Sequence, residues 1–188
     1  AYEIYQCDWS SDVCSSDLRA SYALVGDPIV GLTINSNGSW TFDASSYDGL
    51  AAGEPLPITV NYSVTDENAA SSTGSFVITV TGTNDTPVAT YSTARSVAED
   101  ATISGQLTST DDDAGATASY ALVGNAIDGL TIYADGSWTF DASSYDGLAD
   151  GELLPITVTY SVTDENAASS TGSFVITDLK STRLNSSH

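Results

Sequence analysis

Carboxylates are the chemistry-bearing groups of this chain. The 188 residues hold 25 acidic and 4 basic side chains, a formal net charge of −21. The acids come in short runs: Asn84-Asp85, Glu99-Asp100, Asp111-Asp112-Asp113 and Asp164-Glu165. Side-chain and backbone oxygens on flexible loops are what a hard cation takes, with Ca2+ accepting 6–8 of them. Other chemistry is poorly supplied. Cys7, Cys14, His188 and Lys180 are the only residues of their types, and all lie near the ends. Between residues 20 and 177 the 20 acids face one basic residue, Arg95, for a net charge of −19. No serine there has a histidine to activate it, and the acidic clusters fall on loops rather than across a cleft. We therefore expect no enzyme. The charge argues against nucleic acid and anionic membranes as partners, and no apolar run approaches the ~20 residues of a membrane span.

The ends read as foreign to the rest. Lys180–His188 (KSTRLNSSH) and Asp8–Ser15 (DWSSDVCS) can be encoded on complementary strands of one DNA segment. That segment resembles a short-read sequencing adapter, and Ala1–Ile4 fits its outer part. Residues 1–19 and 178–188 are accordingly expected to be non-native, with Arg19, Asp178 and Leu179 at the margins. The alternative is a natural Cys-x6-Cys loop closed by a disulfide.

Residues 20–79 and 118–177 are two copies of one sequence. They differ at 9 of 60 positions at a constant offset of 98, as in Trp40 and Trp138. A period near 100 is a whole domain, not a solenoid unit. We expect an N-terminally truncated first repeat over 20–83 and a near-complete second over 84–177. The first would leave strand edges unpaired, a liability for aggregation.

The second copy predicts the elements that position the acids. Strands are expected at 88–97, 101–109, 118–123, 130–132, 138–140, 156–162 and 171–177, with a helical turn near 143–148. Asp135-Gly136, and Asn37-Gly38 in the first copy, favour positive backbone angles in a tight hairpin. Seven short strands in about 95 residues indicate an all-β sandwich of immunoglobulin-like type, without the Cys–Trp–Cys framework of antibody domains. Parity puts Leu130, Ile132, Trp138 and Phe140 on one face, with Ile156, Val158, Tyr160, Val162, Phe174 and Ile176 on matching faces. Trp40 and Trp138 read as core anchors rather than sugar platforms.

If each strand runs antiparallel to the one before, the acids gather at two poles. One holds Asn84, Asp85, Asp111, Asp112, Asp113, Asp135, Asp164 and Glu165. The other holds Glu99, Asp100, Asp128, Asp146, Asp150 and Glu152. From these we take Asn84, Asp85, Glu99, Asp100, Asp111, Asp112, Asp113, Asp164 and Glu165 as candidate metal ligands. Carboxylates so dense repel without a counterion, and the alternative is that they are solvated turn residues.

The stretch GLTIYADGSWTFDASSYDGLADGE followed by ITVTYSVTDENAASSTGSFVIT closely resembles the VCBS repeat, and Val80–Pro87 (VTGTNDTP) resembles its exit. The resemblance implies a cadherin-like fold and a tandem array in a large bacterial surface or secreted protein, often an adhesin exported by type I secretion. Its function would be that of an extracellular spacer or adhesive element whose partners are neighbouring repeats and a cell-surface or glycan ligand. Asn84-Asp85-x-Pro87 and Glu99-x5-Gly105 resemble cadherin linker and base motifs that bind calcium between domains, although the second Asp-Asn of that linker is absent. No EF-hand or RTX calcium loop is present. The expected cofactor is Ca2+, in sites left incomplete by the truncation. Two other functions compete: a carbohydrate- or surface-binding module using Tyr133 (Asn35 in the first copy), Tyr145 and Tyr47, and a metal-free spacer beside a distant enzyme domain.

Overall fold

The computed structural model describes residues 20–145, 147–149 and 151–179; the foreign-looking ends, with Cys7, Trp9, Cys14, Lys180 and His188, lie outside them. The described residues form two compact units: 20–46 with Leu56–Val80, and Tyr47–Pro55 with 81–179.

The first unit carries β1 (Ser21–Leu24), β2 (Leu32–Ile34), β3 (Trp40–Phe42), β4 (Pro55–Thr65) and β5 (Ser71–Thr81). One sheet has the order β1-β4-β5, and β2 pairs with β3. Apolar and polar residues alternate along β4 and β5, so one face of each can be buried. Val60 is nonetheless the sole buried hydrophobic residue described in this unit.

The second unit contains β6 (Val88–Ala89), β7 (Arg95–Ala98), β8 (Thr102–Gln106), β9 (Ser109–Thr110), β10 (Ser119–Leu122), β11 (Leu130–Ile132), β12 (Ser137–Asp141), β13 (Leu153–Thr163) and β14 (Ser169–Leu179). The sheet β10-β13-β14-β7 faces the sheet β11-β12-β8, and β6 pairs with β9. Between them lies the core: Trp138, Phe140, Val158, Tyr160, Val162 and Ile176 are fully buried, with Leu107 and Phe174 nearly so. Parity alone places most of these residues inward. Among the described residues the helical elements are single 3-10 turns at Ser45–Tyr47 and Ala142–Tyr145; the rest is strand, turn and loop. No helix among the described residues is long and apolar enough to cross a membrane.

Three local features differ from expectation. The expected strand over 88–97 is two strands. β6 pairs antiparallel with β9, while β7 pairs parallel with β14, Arg95 opposite Ile176 and Ala98 opposite Leu179. The segment between turns Tyr91 inward, where its ring meets Phe174 edge-on at 5.1 Å and its backbone N–H and C=O are held by the Tyr160 hydroxyl at 3.1 and 3.0 Å. Successive strands are therefore not uniformly antiparallel. The helical turn sits a little earlier than expected, over 142–145. In the hairpin, only Gly136 has a positive φ, 83°. Its N–H reaches the Tyr133 carbonyl at 2.9 Å, and Tyr133 N–H reaches Ser137 O at 2.8 Å. This is a three-residue loop with glycine in the left-handed position, and Asp135 acts through its carboxylate by accepting Ser137 N–H at 2.9 Å.

Candidate metal centre

Asp164 opens the β13–β14 turn. Its Oδ1 accepts the N–H groups of Asn166 and Ala168, both at 2.8 Å. The loop closes with Ala167 at φ 68° and Asp164 N–H on Ala168 O at 3.0 Å. The first copy builds the same turn around Asp66. In the second, the other oxygen, Oδ2, accepts Asn84 Nδ2 at 2.8 Å. The same amide nitrogen donates to Asp85 O at 2.7 Å. Both amide hydrogens are thus spent, which fixes the opposite orientation of Asn84 Oδ1.

The 111–116 loop is built the same way. Asp111 Oδ1 accepts Asp113 N–H at 3.0 Å, and Asp113 Oδ2 accepts Asp85 N–H at 2.9 Å. Gly115, at φ 76°, turns the chain, and Ala114 N–H meets Gly49 O at 3.2 Å. One oxygen of each side chain holds the backbone. The remaining oxygens, Asn84 Oδ1, Asp111 Oδ2 and Asp113 Oδ1, are buried and have no hydrogen-bond partner. Buried acceptors are normally paired, so these three oxygens are left open to a hydrogen-bond donor, a water or a cation. Asp111 and Asp113 also line an open cleft of about 370 Å³ with Ser109, Thr117 and Tyr120.

The electrostatics differ from residue to residue. The Asp85 carboxyl is raised above its ordinary pKa, chiefly by lost hydration and then by the charges of Asp113, Asp112, Asp48 and Asp111. Asp164 is lowered, first by the Asn84 amide and then by the backbone N–H groups of its turn. Glu165 is lowered by Thr117, whose N–H and hydroxyl reach it at 2.8 and 3.0 Å.

The structure thus joins Asn84, Asp85, Asp111, Asp113 and Asp164. Glu165 is occupied in bracing Thr117, and Asp112 is exposed. Glu99 and Asp100 lie elsewhere: Glu99 N–H bonds to Leu179 O, at the end of β14 opposite the Asp164 turn. The 11 residues of β14 separate these poles, roughly 33 Å at the usual rise. Asp135 is engaged with Ser137, and Asp146 and Asp150 fall outside the described residues. Among the described residues, no group of three or more His, Cys, Asp or Glu is gathered as a metal site. The cluster's bare oxygens come instead from two carboxylates and one carboxamide.

Asp178, which the sequence places at the margin of the expected non-native end, was not expected to be buried. It occupies a core position on β14, is 1% exposed, and neither carboxylate oxygen has a partner. The 98-residue offset carried the signal, because the first copy has Val80 there. The aromatic candidates for glycan binding divide. Tyr145 packs on Phe140 at 5.6 Å and donates to Asp128 O at 3.1 Å, whereas Tyr133 is half-exposed.

Residues 84–177 match the family model described as a bacterial Ig domain. No curated protein matches the chain. Among solved structures, the chain is similar to mouse cadherin-23 EC22-24 (TM-score 0.54, 18% identity, 86% of this chain and 53% of that one). It is also similar to Drosophila N-cadherin EC1-4 (TM-score 0.55, 15% identity, 95% and 45%) and to protocadherin gammaB7 EC3-6 in a cis-dimer structure (TM-score 0.54, 17% identity, 89% and 43%). The chain spans about half the length of these structures. At such identities the likeness establishes the fold, which is immunoglobulin- and cadherin-like.

Proposed function

The chain belongs to the bacterial Ig domain family, and from that premise we propose that it is a non-catalytic, extracellular repeat module of VCBS type. It serves as a spacer or adhesive element of a large bacterial surface or secreted protein, stiffened by calcium where the linker meets the domain. Near-identical copies support the spacer role, since length rather than a unique site is what repetition supplies. The observation that carries the calcium reading is the set of three buried, partnerless oxygens on Asn84, Asp111 and Asp113.

Those residues fit a hard cation. All offer oxygen, each is fixed by a hydrogen bond through its other polar atom, and Asp85 lies in the same negative field. Bound calcium would supply positive charge and oxygen coordination. Asn84 and Asp85 belong to the linker while Asp111 and Asp113 belong to a loop, so holding one ion would tie the two segments together. The expected gain is in rigidity.

The test is a thermal melt of the full chain with calcium, with magnesium, and with chelator. A ligand at a hundredfold excess over its dissociation constant stabilises by ~2.7 kcal/mol, roughly 10–20 °C for a domain of about 100 residues. The shift should follow calcium and vanish in Asp113→Asn. No calcium-dependent shift would leave the cluster as solvated turns and the module as a metal-free spacer.

A further inference from the structure

Residues 35–39 and 133–137 build one hairpin turn twice. Gly38 N–H reaches Asn35 O at 2.9 Å and Asn35 N–H reaches Ser39 O at 2.8 Å; Gly136 and Tyr133 repeat both bonds at the same lengths. The glycine is left-handed in each, at φ 85° and 83°. Asn37 Oδ1 accepts Ser39 N–H at 3.0 Å and the Ser39 hydroxyl at 2.7 Å. Asp135 Oδ1 accepts the same two groups of Ser137 at 2.9 and 2.6 Å. The loop is thus shaped by its own residues, and it holds a carboxamide or a carboxylate at the same point. Asn37 and Asp135 are both exposed. A backbone N–H can only donate, so the Asn37 atom that faces Ser39 is the oxygen, and Nδ2 points away. Asn35 Nδ2 donates to Ser39 Oγ at 2.9 Å, which leaves the serine proton for Asn37. Two donors therefore converge on Asn37 Oδ1. They stabilise the negative charge that forms there when a nucleophile adds to Cγ. The nearest nucleophile along the chain is the Gly38 nitrogen, which no side chain shields, and closing it on Cγ makes a five-membered ring. Its bond to Asn35 O must open first, at the tip of an exposed loop where opening is local. Asn37-Gly38 is the one Asn-Gly pair in the sequence. Asn68, Asn125 and Asn166 precede alanine, whose methyl crowds the nitrogen, and Asn61 lies within β4. Asn84 spends its amide hydrogens on Asp85 O and Asp164 Oδ2.

We propose that Asn37 is a spontaneous modification site whose co-reactant is water. The Gly38 nitrogen bonds to Asn37 Cγ, the Cγ–Nδ2 bond breaks, and ammonia leaves with the proton that the glycine nitrogen gives up. The product is a cyclic imide. Water then opens it at one carbonyl to give aspartate, or at the other to give isoaspartate. The aspartate product is the residue that the second copy already carries, and the bonds of Asp135 show that the turn accommodates it. Both serine donors bind a carboxylate more strongly than a carboxamide. Isoaspartate instead adds one methylene to the main chain, which displaces the Gly38 N–H from Asn35 O. Either product adds one negative charge to the chain.

The full chain should be held in mildly alkaline water enriched in heavy oxygen, then digested and mapped by mass spectrometry. Alkali favours the reaction because the attacking nitrogen must lose its proton. The fragment containing Asn37 should lose its amide nitrogen and gain one labelled oxygen. The synthetic peptide LTINSNGSWTF sets the rate of the unrestrained sequence, and the Asn37→Asp variant marks the elution position of the aspartate product. Conversion in the folded chain should be within about a hundredfold of the peptide's rate, since a loop tip opens locally. Slower conversion would overturn the proposal, because a site exposed only by global unfolding reacts roughly a thousandfold or more slower. Conversion of Asn61, Asn68 or Asn166 as fast as Asn37 would overturn it as well, since the glycine would then confer nothing.

Discussion

Asn84 and Asp164, 80 residues apart in sequence, are joined by a 2.8 Å hydrogen bond from the amide to a carboxylate. The bond fastens the linker to the β13–β14 turn. Asn84→Ala removes it and leaves Asp164 Oδ2 without that donor. A hydrogen bond to a charged partner contributes about 1.5–3 kcal/mol. We expect that loss in chelator, measured as a lower denaturation midpoint of the second unit, together with a smaller calcium response.

Acid should affect the cluster in two directions. The folded-state pKa of Asp85 is raised, so its ionised form costs stability at neutral pH, and that cost is relieved as pH falls through the folded value. Asp164 and Glu165 are lowered, so their contribution is complete above the unfolded values of about 4 and is lost as pH falls through the folded ones. In chelator, Asp85→Asn should therefore raise stability at pH 7 and flatten the profile between neutrality and about pH 4. Urea midpoints across that range give the sign directly; a less stable variant at pH 7 would contradict it.

Asp178→Val should stabilise the second unit. It replaces two buried, partnerless carboxylate oxygens with the side chain that the first copy carries at Val80. Each unsatisfied buried group costs roughly 1–3 kcal/mol. A gain of about that size in chemical denaturation is expected, and a loss would mean that Asp178 has a partner in solution.

Trp138→Ala and Trp40→Ala alter the same residue of the same repeat. The first empties a fully buried site and should cost about 3–5 kcal/mol. The second removes a ring already half in water and should cost well under half as much. Denaturant unfolding of the two variants measures the difference.

Gly129→Ala should be among the more damaging single-methyl additions. Gly129 has φ 75°, and an added Cβ would collide with the backbone carbonyl oxygen of Asp141, which cannot swing away. Left-handed strain alone is worth on the order of 1–3 kcal/mol, so a loss above that range is expected in the same unfolding assay.

Strand parity carried most of the fold. Val158, Tyr160 and Val162 point inward because side chains alternate along β13, a property of the chain that needs no knowledge of its neighbours. Pairing partners are different, since parity says which face a residue takes and not which strand lies beside it. The switch from β6 to β7 comes where Tyr91 is clasped by Tyr160, a contact across 69 residues. The candidate metal centre was legible as a set of acids at one pole. Its selectivity was not: Glu165 is taken up by Thr117, while Asp111 and Asp113 keep one oxygen each bare. Which oxygen is spent depends on backbone N–H groups whose positions only the folded loop defines.

The parallel register of β7 against β14 also determines how the second unit would carry a load. The chain enters β7 at Arg95, opposite Ile176, and leaves β14 beyond Leu179, opposite Ala98. Tension applied to the flanking chain pulls these two strands past one another in opposite senses along their length. The hydrogen bonds between them then lie across the pull and must yield together, where a hairpin drawn open from one end would lose its rungs in turn. A domain strung in series through this pair resists stretching with several bonds at once.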